Sequence, residues 1–130
     1  MSVQAVMTAL VRARPVSDLV GDRVYPMALP ASPTPVLPAI TLQRVSTTRV
    51  HSQDGPSGLA RPRVQVTSWA KTYAQADALA AAVREALDGL QTNGDGGTIQ
   101  GVFSAEDRDI YDSDLKIPGR SVDFLVWHEE

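Results

Sequence analysis

Two alternating runs of apolar and polar residues constrain the fold of this chain more than any other feature. They are AITLQRVSTTRV (residues 39–50) and RVQVTSW (residues 63–69), and the second puts Val64, Val66 and Ser68 on one face. A period of two is typical of a half-buried strand. Because the runs flank one segment, we expect them to pair as a long antiparallel hairpin. The intervening residues 46–63, STTRVHSQDGPSGLARPR, are rich in glycine, proline and arginine and predict a long β-hairpin loop.

The clearest helix follows the second run, in TYAQADALAAAVREALDGL (residues 72–90). Thr72 and Gln75 have the spacing of a capping box, and Gly89 lies near the expected end. Apolar residues recur at helical spacing and predict a buried stripe: Ala76, Leu79, Ala80, Val83, Ala86, Leu87 and Leu90. An earlier helix is predicted to begin at Ser2 and to stop at Pro15, with SDLVG as a turn that Ser17 caps and Gly21 terminates.

The remaining segments complete an order of helix, strand, strand, helix, strand, strand. Five prolines between Pro26 and Pro38 predict an extended surface segment, either a docking arm or a stiff connector. QTNGDGGT reads as a turn, IQGVFSAEDRDIYDSD begins as a strand and becomes acidic, and RSVDFLVWHEE alternates as a last strand. We therefore predict one domain, residues 1–130, of the α+β class, in which a mainly antiparallel sheet of about four strands packs with two main helices on one face.

Composition narrows the range of functions. The chain has no cysteine, which excludes disulfides and thiolate sites, and no apolar run approaches the roughly 20 residues that span a bilayer. The first 65 residues carry seven arginines against three aspartates, whereas the rest carry five basic and twelve acidic residues. One basic and one acidic side would suit head-to-tail self-association, although uneven charge also arises by chance.

Catalytic chemistry finds little support. Glu106, Asp107, Asp109, Asp112 and Asp114 are the best candidates for a metal or acid–base site, but the glycine and closing glutamate of a calcium loop are missing. We interpret this stretch as a solvated loop and expect no catalytic, cofactor or metal residues.

The sequence gives equally little support for nucleic-acid binding. Arginines cluster around the hairpin, yet no aromatic residues are interleaved with them and the chain as a whole is acidic. Non-specific proximity to DNA is as much as these charges support.

Four motifs in order resemble one family over nearly the whole chain. They are LVGDRVYP (residues 19–26), LP (residues 37–38), VQVTSWAKTYAQADALAAAVREAL (residues 64–87) and RSVDFLVW (residues 120–127). Together they resemble the tail-completion, or tail-terminator, proteins of long-tailed bacteriophages, prophages and gene transfer agents.

The resemblance implies a structural virion protein at the head–tail interface, assembled in the cytoplasm of a bacterial host. It implies a ring of identical copies, a hexamer, that caps the tail tube, contacts the tail tube protein and joins the tail to the head-side connector or stopper. The predicted loop would then be the assembly surface, with Arg49, His51, Asp54, Arg61 and Arg63 as its contact residues.

Two other functions remain open from the residues alone. One is a metal-dependent hydrolase that uses the acidic stretch 106–114, and the other is a monomeric adaptor that binds a peptide at a sheet edge. The hairpin loop could also be a surface loop without a partner.

Overall fold

In the part of the chain that the structure describes, six strands form one sheet in the order β1-β2-β3-β6-β5-β4. A computed structural model describes residues 6, 9–21, 23–29, 36–52, 55–89, 92–94 and 97–129, and side chains for these apart from 46–61, 92–94, 97–100 and 128–129. The strands are β1 (Val24–Pro26), β2 (Ala39–Ser52), β3 (Gly55–Trp69), β4 (Thr92–Gly94), β5 (Gly97–Asp112) and β6 (Ile117–Glu129). The helices are α1 (Arg14–Val20) and α2 (Tyr73–Leu87). Among the strands that the structure describes, only β1 pairs in parallel, with β2, so the α+β prediction of a mainly antiparallel sheet is confirmed.

The hairpin of β2 and β3 is longer than predicted. Its ladder runs from Ala39 opposite Trp69 to Ser52 opposite Gly55, so most of the expected loop is paired backbone. Register shifts after Arg44 and after Val50 absorb extra residues while pairing continues. The long β-hairpin is confirmed, but its connection is short, because β-branched residues in STTRV favour strand and override the turn-forming residues nearby.

Helix α2 confirms the capping prediction. Thr72 precedes the helix in an extended conformation, and its Oγ1 accepts a hydrogen bond of 3.2 Å from the backbone N–H of Gln75. Gly89, with φ of 79°, follows the last turn in the left-handed conformation that favours glycine. Five residues of the predicted stripe are buried against the sheet, Ala76, Leu79, Ala80, Val83 and Leu87; Ala86 is partly buried and Leu90 lies outside the described residues.

The helix prediction before β1 is partly wrong. Residues 9–12 are helical, but a second helix, α1, begins at Arg14 and includes the stretch predicted as a turn. Pro15 lies in the first turn of α1, where the N–H that proline lacks would have no partner in any case. Ser17 is therefore inside the helix rather than at its cap, whereas Gly21, with φ of 61°, ends it as predicted.

The acidic stretch is also misassigned as a solvated loop. Strand β5 continues through it to Asp112, and only the following residues 113–116 form a turn, in which the Asp112 carboxylate accepts hydrogen bonds from the N–H groups of Asp114 and Leu115. Pairing with β6 shifts register between Ser104 and Glu106. Arginines distant in the chain donate to the acidic side chains on both faces of the sheet. A local stretch of sequence does not contain those partners.

The hydrophobic core lies between one face of the sheet and the helices. Alternate residues of the four long strands are buried there: Ile40, Leu42, Val64, Val66, Val102, Val122, Phe124 and Val126. Val6 and Leu10 from the N-terminal helical segment, Val16 and Val20 from α1, and the stripe of α2 complete the cluster. The opposite face carries no helix among the described residues and displays Gln65, Thr67 and Trp69, as the alternation predicts.

Candidate assembly surface

The predicted assembly residues lie on the hairpin and not on an unstructured loop. Arg49 pairs with Ala60 and His51 with Pro56 on the outer half of β2, and Arg61 on β3 pairs with Thr48. Asp54 lies outside the described residues. The hairpin extends beyond the rest of the sheet, since β6 follows β3 only as far as Leu59. We call residues 46–62 the hairpin arm.

Arg63 differs from the other four because the structure places it at the base of the arm. Its Nε donates a hydrogen bond of 2.9 Å to Asp123 Oδ2, and its Nη2 donates one of 3.1 Å to Glu106 Oε2. Arg108 Nη1 lies 3.6 Å from Glu106 Oε1 and 3.8 Å from Asp123 Oδ2. Arg63 therefore connects β3, β6 and β5 across the face that lacks a helix, and holds the arm's base on the sheet.

Asp123 is buried although it lies on that open face. Its side chain is 5% exposed, while Arg63 is 31% exposed and covers it. Among the described residues no group pairs with Asp123 Oδ1 or with the buried Ser121 Oγ. Removing a carboxylate from water is costly unless it is paired, so the Arg63 contact is the interaction that keeps this charge in the sheet.

A second ionic cluster joins helix α2 to the core side of β5 and β6. Arg120 Nη1 donates a 2.7 Å hydrogen bond to Asp109, and its other nitrogens lie 3.5 Å from Asp107 and 3.3 Å from Asp77 on α2. The hydrogen bond to Asp109 raises the pKa of Arg120, so this guanidinium stays charged.

The same carboxylate acts on the neighbouring tyrosine of α2. The negative charge of Asp109 raises the pKa of the Tyr73 phenol above its ordinary value. Arg84 Nη1 adds a contact of 3.3 Å to Asp107, about two turns farther along the helix from Asp77. The ion pairs of Arg84 and Arg120 hold α2 over the end of the sheet, where charged residues replace the apolar residues of the core.

The acidic stretch does not converge on a metal. Among the described residues no three histidine, aspartate or glutamate side chains come together as ligands. Glu106 points to the open face and Asp107 and Asp109 to the helix side, and each is already paired with an arginine. No helix of the described chain is long and apolar enough to cross a membrane.

Sequence reasoning missed Asp123 and Arg120 as organising residues. Both lie in the last alternating run, RSVDFLVWHEE, which the sequence predicts only as a strand. A charged residue within an otherwise apolar strand was the available signal, since such a residue needs a partner of opposite charge.

Comparisons with known proteins give the same family as the four ordered motifs. The family model described as "Tail completion protein gp17" matches residues 4–129. A chain from the solved structure titled "Virion of native gene transfer agent (GTA) particle" has a TM-score of 0.74 and 22% sequence identity, over 96% of this chain and 92% of that chain. At this identity the likeness establishes the fold alone. No curated protein matches the chain.

Proposed function

Because the chain belongs to the family of the tail completion protein gp17, we propose that it forms a ring that caps the tail tube and joins the tail to the head-side connector. The family consists of structural proteins of the virion tail, so the chain is a structural tail protein and not an enzyme. The match over residues 4–129 carries the proposal, because it includes nearly all of the 130 residues.

The proposed position of the ring in the particle determines which proteins it contacts. A ring at the head end of a tail contacts the tail tube protein on one side and the connector or stopper on the other, and DNA passes through its centre. Six copies would match a six-fold tail. We propose that residues 1–130 act as one unit in this ring, and that the likeness to a gene transfer agent virion chain reflects a shared role in a particle.

The hairpin arm is the element suited to reach a neighbouring protein. It is a paired ribbon whose tip, with the pair His51 and Pro56, lies beyond the last β6 pair at Leu59, and it carries Arg49, His51 and Arg61 with Arg63 fixed at its base. Acidic residues on a neighbouring tail or head protein are the chemistry that such a basic ribbon would recognise. Backbone pairing along the arm lowers the entropy lost on docking compared with an open loop.

Deletion of the gene from the element that encodes it tests the proposed function. We expect separate full heads and abnormal tails in electron micrographs, and rescue when the wild-type chain is supplied from a plasmid. Joined, infectious or transducing particles without the protein would overturn the proposal.

A shortened arm tests the hairpin separately. Ser46 and Arg63 are paired, so a two-residue Asn-Gly turn can replace residues 47–62. We expect a folded chain that keeps the helices and the remaining strands, with less strand content, and that does not join heads to tails. The variant R49A/R61A keeps the backbone of the arm and is expected to weaken joining without abolishing folding; full activity of both variants would exclude the arm from assembly.

A further inference from the structure

The sheet ends in two long strand edges that have no partner among the described residues. On one side, β1 covers only Ile40–Leu42 of β2, and the N–H of Met27 adds a hydrogen bond of 2.8 Å to the Leu42 carbonyl. Residues 43–52, which we call the β2 edge, extend beyond this cover. An edge of this length is a template for pairing with another strand.

The β5 side is arranged in the same way. Strand β4 pairs with residues 97–99 only, and the turn after α2 covers the next positions, where the N–H of Gly89 bonds to the Val102 carbonyl at 2.7 Å and Asp88 Oδ1 accepts from the Ser104 N–H at 3.1 Å. Residues 105–112, the β5 edge, follow without a neighbour among the described residues. The two edges are of similar length, about 25 to 35 Å at the usual rise of a strand.

The edges have opposite charge. The β2 edge contains Arg44 and Arg49 and no acidic residue, whereas the β5 edge contains four acidic residues and Arg108. Although Arg63, Arg84 and Arg120 pair with some of these acids inside the chain, Glu106 and Asp109 remain 57% and 58% exposed. Like charges placed opposite each other destabilise a strand pair, so a β5–β5 or β2–β2 contact is disfavoured and a β2–β5 contact is favoured.

The strand directions permit that contact. Neighbouring long strands are antiparallel throughout, so β2 and β5 run in opposite directions within one copy. Within one copy Arg44 lies level with Ser104, through Val64 and Phe124. A second copy in the same orientation, displaced by about eight residues along the strand direction, therefore places its β2 edge antiparallel to the β5 edge of the first. When the two edges are aligned end to end, Asp112 lies opposite Arg44 and Asp107 lies opposite Arg49. Long side chains at such facing positions are close enough to interact.

Apolar side chains mark the same two edges. Val45 on the β2 edge is 51% exposed and Tyr111 on the β5 edge is 63% exposed, so both side chains can be covered when the edges pair. We infer that the β2 edge of one copy pairs with the β5 edge of the next, so that the sheets of successive copies join into one continuous band around the ring.

The contact between the β2 edge of one copy and the β5 edge of the next can close into a ring. A contact between two different surfaces of identical copies is heterologous and generates a ring when the rotation closes. A closed ring leaves neither of the two long edges unpaired, which reduces the aggregation hazard that each copy carries alone. This inference rests on the proposed ring and names the surface that builds it.

Disulfide trapping in assembled particles tests the contact, and the absence of cysteine from the chain makes the background clean. Val45 and Tyr111 are exposed and lie at facing positions in the end-to-end alignment, so V45C and Y111C are the probes. We expect the V45C/Y111C chain to yield a ladder of linked copies after oxidation, and a mixture of the two single variants to yield only a linked dimer. A disulfide requires Cα atoms within about 7 Å, so its formation reports adjacency.

The controls separate this inference from the proposed function. A short bismaleimide is applied in parallel, so that a register shifted by one residue still gives a product. L19C/Y111C places one cysteine on exposed α1 and is expected to remain unlinked. If the particles require the protein but V45C/Y111C gives no ladder with either reagent, or V45C alone dimerises, the edge contact is wrong while the ring proposal stands. If the gene is dispensable for joining, the proposed function itself fails.

Discussion

Gly119 provides a sharp test of how the open face of the sheet is packed. It lies opposite Trp69 in the pairing of β3 and β6, and a Cβ at this position would be 2.8 and 2.9 Å from two atoms of the indole ring and 3.1 Å from Ile110. The indole cannot move away without loss, because its Nε1 donates a hydrogen bond of 3.0 Å to the buried Thr41 Oγ1. G119A must therefore displace a side chain that is held on both sides.

The expected cost has two parts. Forcing a methyl group into a filled site costs about 1–3 kcal/mol, and weakening the Trp69–Thr41 hydrogen bond adds about 1 kcal/mol. The free energy of unfolding should therefore fall by about 2–4 kcal/mol. For a chain of this length each kcal/mol lowers Tm by about 4 °C, so a decrease of about 8–16 °C is expected.

G101A is the matched control for this test. There a Cβ would be 3.0 Å from the Phe103 ring, but Phe103 is half exposed and can rotate into solvent, so the expected loss is below about 1 kcal/mol. Urea unfolding followed by circular dichroism measures both variants. In a double-mutant cycle with W69L, the cost of G119A should largely disappear, because its steric partner is gone. Equal stability of G119A and G101A would refute the assigned packing.

Three further perturbations follow from the described contacts. T72A removes the cap of α2 and should lower the free energy of unfolding by about 1 kcal/mol in urea titration. Asp109 raises the pKa of Tyr73 in the folded chain. The contribution of the neutral phenol to the free energy of unfolding is therefore complete below the ordinary tyrosine pKa of about 10, and it is lost as pH rises through the pKa of the folded chain. Y73F should flatten the dependence of stability on pH in this alkaline range. D123A leaves Arg63 without its buried partner and should cost about 2 kcal/mol in urea, less than a fully buried pair because Arg63 is partly exposed. A D123A chain as stable as wild type would contradict the role given to that pair.

The open face and the two edges are the surfaces on which the proposed assembly depends. A sheet with helices on one side ordinarily keeps polar residues on the other, and here that side carries the Arg63 cluster beside Trp69 and Phe103. The edges are charged, which limits their pairing with unrelated strands while permitting a partner of opposite charge. Both features are consistent with a structural subunit whose surfaces are completed by neighbours.

Local patterns were sufficient for much of the architecture. The alternation in residues 63–69 predicted which side of β3 would be buried, and the Thr72 cap and apolar stripe predicted α2 nearly to its ends. These predictions succeeded because the physical causes, side-chain period and backbone capping, act within a few residues of each other. The order of four motifs likewise predicted the family, since it needs no spatial information.

Pairing between residues that are distant in the chain determined the features that local patterns did not predict. The acidic stretch became a strand because Arg63, Arg84 and Arg120 come from three different elements to neutralise it. The expected loop became a paired arm because one strand can form only when its partner is aligned beside it. Burial of Asp123, the packing of Gly119 against Trp69 and the existence of two oppositely charged edges depend on residues that are distant in the chain. Only the folded sheet brings them together, because hydrogen bonding between strands and charge pairing act through space and leave no local periodicity.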